Sequence, residues 1–197
     1  MTGPDARFLT RHKKSPTPKA ETPASRTLGK ADAWTAYLTD EKSGRVCYLV
    51  GEPRKSEPAG AARKPPMAMV THRPVEKIAN VVSLVEGYQL REGSNVTLEV
   101  DGHKFELFTK GDSAWALTSE LDSTIVAVLA KGKEAQVRGI PQHGHTTTDS
   151  YALAGFAKAL ALIDKACDIK REESAPQQRT PHRPHHHHRV SHRHPKH

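Results

Sequence analysis

Cysteine is nearly absent from this chain, in which Cys47 and Cys167 are the only two among 197 residues. Their spacing fits neither a zinc knuckle nor a redox CxxC motif, which excludes the common cysteine-based sites. Cys47 lies in an apolar segment that predicts a strand, and Cys167 ends the last predicted helix. Two interpretations stay open: two buried thiols, or one disulfide that ties this strand to the last helix. The lack of a visible export signal argues against oxidation.

Long apolar runs and aromatic side chains are also scarce. No run reaches the ~18 residues that a membrane helix needs, and no secretory apolar region of about 7–15 residues is visible near Met1. From the printed chain alone we therefore expect no membrane span and no export. Aromatic residues make up 5% of the sequence and form no stacking set of the kind that binds RNA, so we expect no specific nucleic-acid partner.

Catalytic motifs are missing as well, since the chain has no GxSxG, no P-loop and no GxGxxG sequence. Glu99, Glu106 and Asp112 lie on or beside one predicted meander, but like charges on a solvated sheet face need no catalytic role. The sequence therefore predicts a protein that is not an enzyme and that has neither catalytic residues nor a cofactor.

Three histidines outside the C-terminus could contribute to a metal site. His143 and His145 lie close to Asp149 in the sequence, and His103 follows an Asp-Gly turn. None of them shows HExxH spacing or a neighbouring cysteine cluster. We interpret them as solvated loop side chains.

The excess of positive charge belongs to the two ends of the chain. The formal net charge is +8, yet residues 31–167 hold 16 Lys/Arg against 17 Asp/Glu. Residues 1–30 hold seven basic and two acidic residues, and residues 168–197 hold seven and three. A near-neutral middle argues against a basic groove on the folded domain. The basic ends could instead contact acidic surfaces.

The clearest local pattern is a hairpin. Apolar and polar side chains alternate in residues 95–100 and again in residues 103–108, which is the period of a half-buried strand. Asp101-Gly102 lies between them, and both residues tolerate the positive φ of a two-residue turn. A second turn at residues 110–112 leads to the short run 113–117. These segments predict a three-stranded antiparallel meander with one buried face.

Similar patterns extend over the middle of the chain. The other predicted strands are residues 34–39, 45–51, 67–72, 81–85, 135–140 and 151–153, and the predicted helices are residues 119–131 and 155–167. Residues 52–66 are rich in Pro, Gly, Ala, Lys and Arg and predict a long loop. We therefore expect a mainly β fold, an antiparallel sandwich or barrel with a C-terminal helix and one short additional helix. The predicted divisions are a disordered basic arm (1–32), the β domain (33–168) and a disordered His/Arg-rich tail (169–197).

Histidines cluster in the last 16 residues. The eight are His182, His185, His186, His187, His188, His192, His194 and His197. Neutral imidazoles bind Zn²⁺, Ni²⁺ and Cu²⁺, but a tract without fixed geometry binds them weakly and without selectivity. The tail is thus either an adventitious metal-binding segment or a solvated low-complexity one. It would also gain positive charge on mild acidification, since a free imidazole has a pKa of about 6.5.

Several segments together resemble the invasion-associated locus B (IalB) family of alphaproteobacteria. They are Trp34, residues 46–48 (VCY), 71–74 (THRP), 80–83 (NVVS), 87–94 (GYQLREGS), 105–115 (FELFTKGDSAW), 147–156 (TTDSYALAGF) and Cys167. The likeness covers roughly residues 33–167. The chain departs from many relatives in having no further cysteines near its middle.

The resemblance implies a small, mainly β protein of the cell envelope, periplasmic or secreted, with no known enzymatic activity. It implies a disulfide between Cys47 and Cys167, and an interaction with an unidentified protein partner, since some relatives are linked to host-cell invasion. The missing leader keeps a cytoplasmic location open. The alternative function is that of a metal-binding accessory protein acting through the histidine tail.

Overall fold

A computed structural model describes residues 24–171, which form eleven β-strands and two α-helices. The strands are β1 (Arg26–Ala31), β2 (Trp34–Glu41), β3 (Gly44–Gly51), β4 (Lys55–Glu57), β5 (Met67–Arg73), β6 (Ile78–Val85), β7 (Asn95–Val100), β8 (His103–Lys110), β9 (Ser113–Trp115), β10 (Glu134–Gly139) and β11 (Thr147–Ala152). The helices are α1 (Ser119–Lys131) and α2 (Phe156–Ala166).

All strands belong to one antiparallel sheet with the order β1-β2-β3-β5-β6-β9-β8-β7-β10-β11-β4. The sheet is not closed, because β1 and β4 are its two edges within the described residues. It folds over on itself: the indole nitrogen of Trp34, on β2, donates a hydrogen bond of 2.9 Å to the carbonyl oxygen of Ala152, on β11. The fold is therefore a sandwich, which confirms the prediction of a mainly β, antiparallel architecture.

The predicted meander is present with the predicted register. Val96, Leu98 and Val100 are buried, and they pair with Leu107, Phe105 and His103 across the β7–β8 hairpin. Both turn residues, Asp101 and Gly102, have positive φ, as the tight connection requires. The period of two thus placed the apolar side chains on the inner face.

The helices cover the inner side of the sheet. α2 packs across β1, β2 and β3, and α1 packs against β6. The buried faces consist of Ile125, Val126 and Leu129 on α1, and of Phe156, Ala159, Leu160 and Ile163 on α2. Spacings of three and four residues put each set on one face of its helix. The hydroxyl of Thr118 caps α1 by accepting a hydrogen bond from the Leu121 amide.

Three segments differ from the sequence-based expectation. β11 covers Thr147–Ala152, whereas the sequence predicted a strand over residues 151–153 only. Residues 26–31, which composition assigned to the basic arm, form strand β1 on the edge of the sheet. None of the residues of β1 is buried, although α2 contacts the strand, so its sequence lacks the apolar alternation of a half-buried strand. Residues 52–66, expected to be a plain loop, contribute the short strand β4, which pairs with β11.

Candidate functional site

A disulfide joins Cys47 on β3 to Cys167 at the end of α2. The two Cα atoms lie 6.1 Å apart and the bond closes a loop of 120 residues. Both residues are buried, with 0% and 2% of their surface exposed. The pairing agrees with the one that the family resemblance implies, and it fixes the end of α2 to β3.

A buried histidine lies next to this bridge. His72, on β5, pairs with Cys47 across the sheet and is fully buried. Its Nδ1 accepts a hydrogen bond from the backbone amide of Asn80 (3.0 Å), so the proton resides on Nε2, which faces Asp164 Oδ1 at 3.0 Å. Because both ring nitrogens are engaged, the imidazole has no free position for proton transfer. The arrangement links β5, β6 and α2 rather than forming a catalytic dyad.

Asp164 also binds Arg171, with distances of 2.5 Å and 2.7 Å to the guanidinium nitrogens. Burial alone raises the pKa of the Asp164 carboxyl, but the hydrogen bonds from His72 and Arg171 outweigh burial and hold its pKa below the usual range. Arg171 in turn donates to the side chain of Asn80 at 3.0 Å. These polar contacts hold the end of the described chain against the sheet.

Replacing Asp164 with Asn should reduce the free energy of unfolding by about 1.5–3 kcal/mol at pH 7, the usual size of a hydrogen bond to a charged group. A carboxyl with a depressed folded pKa contributes stability above its unfolded pKa, and that stability is lost as pH falls through the folded value. The difference in free energy of unfolding between wild type and variant, measured by urea denaturation, should therefore become smaller below about pH 4.

Asp122→Asn provides the matched control for this substitution. Burial raises the pKa of Asp122, although the hydrogen bond from the Val82 amide opposes the shift. Its contribution to stability is therefore lost as pH rises, the opposite direction to Asp164. If the two substitutions changed stability with the same pH dependence, the opposite pKa shifts of Asp164 and Asp122 would be contradicted.

A second buried cluster lies between the 52–66 segment and β11. Arg63 forms a bidentate ion pair with Asp149, and its Nη1 is 2.8 Å from Asp149 Oδ2. The same nitrogen donates to the carbonyl oxygen of Glu86 at 3.1 Å and lies 3.6 Å from the Glu86 carboxylate. The side chains of Arg63, Glu86 and Asp149 are only 4%, 1% and 0% exposed. The Ser56 hydroxyl completes the set with a hydrogen bond of 2.5 Å to Asp149.

Glu86 is the unusual member of this cluster. Burial raises the pKa of Glu86 to about 7, and repulsion by Asp149 adds to the increase, while hydrogen bonds from Tyr88 and Thr147 and the charge of Arg63 partly offset it. Two carboxylates thus share one guanidinium in a site without water contact. Within residues 24–171, every buried side-chain nitrogen or oxygen has a hydrogen-bond partner, so the cluster is internally satisfied.

The histidines considered as ligands are not brought together. His103, His143 and His145 are exposed, whereas Asp149 is buried and bound by Arg63. In the part of the chain that the structure describes, no group of three His, Cys, Asp or Glu side chains is placed to hold a metal ion. The eight tail histidines, His182, His185, His186, His187, His188, His192, His194 and His197, lie outside the described residues, as do residues 1–23 of the basic arm.

The solvent side of strands β3, β5, β6, β9 and β8 carries a continuous row of uncharged side chains. Register places Val50, Met69, Ser83, Trp115 and Phe108 next to one another across β3, β5, β6, β9 and β8. We call these five residues the outer row. It spans four strand spacings, about 19 Å. The rings of Trp115 and Phe108 lie 5.9 Å apart, and Phe108 is 42% exposed.

Two further features extend this surface. Tyr37 and Tyr48 stack at 5.2 Å on the neighbouring strands β2 and β3. Leu117, just past β9, is 77% exposed. Aromatic and methionine side chains with no charge among them are typical of the centre of protein–protein interfaces. An alternating strand pattern could have located this row, because four of its five residues are apolar side chains that fall on the solvated side of their strands.

Sequence reasoning did not find Arg63, Glu86 or the role of Asp149. Arg63 lies in a segment that resembles a solvated loop, and its partners are 23 and 86 positions away. The only available signal was a run of polar residues, Thr147 to Ser150, in a strand that turned out to be largely buried.

The described fold is that of a disulfide-tied antiparallel sandwich whose buried polar groups are bound to one another. The chain matches the family model "Invasion associated locus B (IalB) protein" over residues 34–164. The protein therefore belongs to the IalB family, which confirms the resemblance seen in its sequence. No curated protein matches the chain.

A solved structure is similar to this fold, the crystal structure of invasion associated protein b from Bartonella henselae. The two share 18% sequence identity and superpose with a TM-score of 0.53, over 73% of this chain and 99% of that one. At this identity the likeness supports the fold alone. No helix among residues 24–171 is long and apolar enough to cross a membrane.

Proposed function

We propose that this protein is a non-enzymatic component of the cell envelope that acts by binding another protein through its outer row. Membership of the IalB family supports the envelope location, and the printed name of the Bartonella structure associates that protein with invasion. A periplasmic or secreted location follows from the same family argument and agrees with the disulfide.

The proposal rests on the contrast between the inner and the solvent side of the strands that form the outer row. Inside, polar groups such as His72 and Asp164 are saturated by mutual hydrogen bonds. Outside, Val50, Met69, Trp115 and Phe108 form an apolar surface with no charge among them. Such a row has the composition of an interface centre and lacks the donors and acceptors of a catalytic site.

A photo-crosslinking amino acid at Phe108 should capture a discrete protein in the organism that makes this chain. Trp115→Ser in the same protein should reduce the yield at least about tenfold, because central aromatic residues contribute most of an interface's binding energy. Non-reducing gels and mass spectrometry of the adduct supply the measurement.

The control places the same crosslinker at Gln136, an exposed position on β10 that is not part of the outer row. No discrete adduct is expected there. Equal capture from both positions, or capture at Phe108 that Trp115→Ser leaves unchanged, would contradict the outer row as the contact surface. Circular dichroism of each variant separates loss of binding from loss of fold.

The metal-binding alternative stays a prediction from sequence alone, because the histidines on which it depends lie outside the described residues. The same holds for contacts of the basic ends with acidic surfaces.

A further inference from the structure

The segment of residues 52–66, here called the strap, is attached to the sandwich almost entirely by polar contacts. Its only apolar residues are alanines and prolines, and none of its residues is buried as a whole. A segment of this kind gains little from the hydrophobic effect, so its closure depends on hydrogen bonds and charge.

Besides the pairing of β4 with β11, two backbone contacts hold the strap on either side of one buried side chain, that of Arg63. The Arg54 amide donates to the Ser150 carbonyl oxygen (2.9 Å), and the Lys64 amide donates to that of Gly87 (3.0 Å). Between them the Arg63 side chain enters the sandwich and pairs with Asp149. Gly87 has a φ of 76°, and a Cβ at this position would collide with the Lys64 carbonyl group, so the close approach requires glycine.

We propose that the strap is a pH-sensitive latch: it is closed while Glu86 holds a proton, and it loosens from β11 when that proton is lost. With Glu86 neutral, the cluster contains one positive and one negative charge. Ionisation adds a second negative charge beside Asp149 in a site that water does not reach. Opening of the strap hydrates both carboxylates and relieves this repulsion.

The groups that face Glu86 come from every element around it. Arg63 approaches from the strap, and Tyr88 lies two residues after Glu86. β11 contributes Thr147, Asp149 and Tyr151. The backbone of Gly139 approaches from β10. A Cβ on Gly139 would collide with the Glu86 carboxylate and the Tyr88 hydroxyl. Arg63 is the sole cation in this set, and it is already committed to Asp149 by two hydrogen bonds.

The direction of the pH effect follows from the two states of Glu86. Burial raises the pKa of Glu86 to about 7 in the closed protein, against an ordinary value of 4.5 when hydrated. The closed strap therefore holds the proton more tightly than the open one. Closure is favoured most at or below about pH 4.5, and this preference is lost as pH rises through about 7.

Hydrogen–deuterium exchange of strap amides tests the latch on the wild-type protein. With these two pKa values, protection of the Arg54 and Lys64 amides should fall about 30-fold between pH 5.5 and pH 8.5, after correction for the intrinsic exchange rate. Amides of the β7–β8 hairpin serve as the internal reference and should change far less. Strap protection that is constant across this range overturns the proposal without any variant.

Two substitutions test the roles of Glu86 and Arg63 separately. Glu86→Gln imitates the protonated side chain and should keep the strap protected at both pH values, whereas the exposed control Glu106→Gln should behave like wild type. Arg63→Gln removes the anchor and should expose the strap at both pH values while the hairpin stays protected. A wild-type pH response in Glu86→Gln, or a protected strap in Arg63→Gln, would contradict the latch. None of these outcomes depends on the outer row.

Discussion

Replacing both Cys47 and Cys167 with serine is expected to lower the free energy of unfolding by about 5 kcal/mol. The cross-link restricts the unfolded chain over 120 residues, and in the chain-entropy model a loop of this size corresponds to roughly that much stabilisation. Such a loss is comparable with the whole stability of many domains, about 5–15 kcal/mol. The variant should therefore be partly or fully unfolded at 37 °C.

Urea denaturation, monitored by tryptophan fluorescence, measures this loss in the free energy of unfolding. Reduction of the wild-type protein with a thiol reagent should produce the same loss as the double substitution, because both remove the same cross-link. A double variant within about 1 kcal/mol of wild type would show that the sandwich does not depend on the bridge.

Trp34→Ala is expected to cost about 3–5 kcal/mol, the usual range for a buried tryptophan. The indole is 2% exposed, contacts Phe156 edge to face at 4.9 Å and lies 6.4 Å from Tyr151. It also joins the two layers through its hydrogen bond to the Ala152 carbonyl oxygen, which the alanine variant would leave without its donor.

The chain contains a matched control, since its only other tryptophan is Trp115 on the outer row. Trp115→Ala should cost about 1 kcal/mol or less, because it opens no cavity in the core. Thermal or urea unfolding of both variants gives the comparison. Equal losses at the two positions would mean that Trp34 does not hold the layers together.

The strands that were predicted from sequence share one property: a single covered face. The β7–β8 hairpin shows it best, since Val96, Leu98 and Val100 must all point inward once the Asp-Gly turn fixes the register. α2 was predicted for the same reason, with Phe156, Leu160 and Ile163 on one face. Local pattern and tertiary burial agree in these elements.

The elements that were missed depend on contacts with other parts of the fold. β1 exists because β2 and α2 provide an edge and a cover, which nothing in residues 26–31 encodes locally. β4 likewise forms only where β11 presents its free edge. Composition alone could not separate these residues from solvated chain.

The candidate sites also differ in how far they could be predicted from the sequence. The disulfide pairing could be anticipated, but only through the family resemblance, because two cysteines 120 positions apart carry no spacing signal. The Arg63–Asp149–Glu86 cluster could not be anticipated, since charged residues in a Pro- and Gly-rich segment predict exposure. The outer row lay between these cases: the alternation was visible, but the order of strands that aligns Met69 with Trp115 was not.

The most direct test is to count thiols in the protein isolated from its native host. Alkylation before reduction, followed by peptide mass spectrometry, should show no modified cysteine and a cross-linked pair of peptides containing Cys47 and Cys167. Two alkylated cysteines would contradict both the tied sandwich and the oxidising, extracytoplasmic location proposed for it.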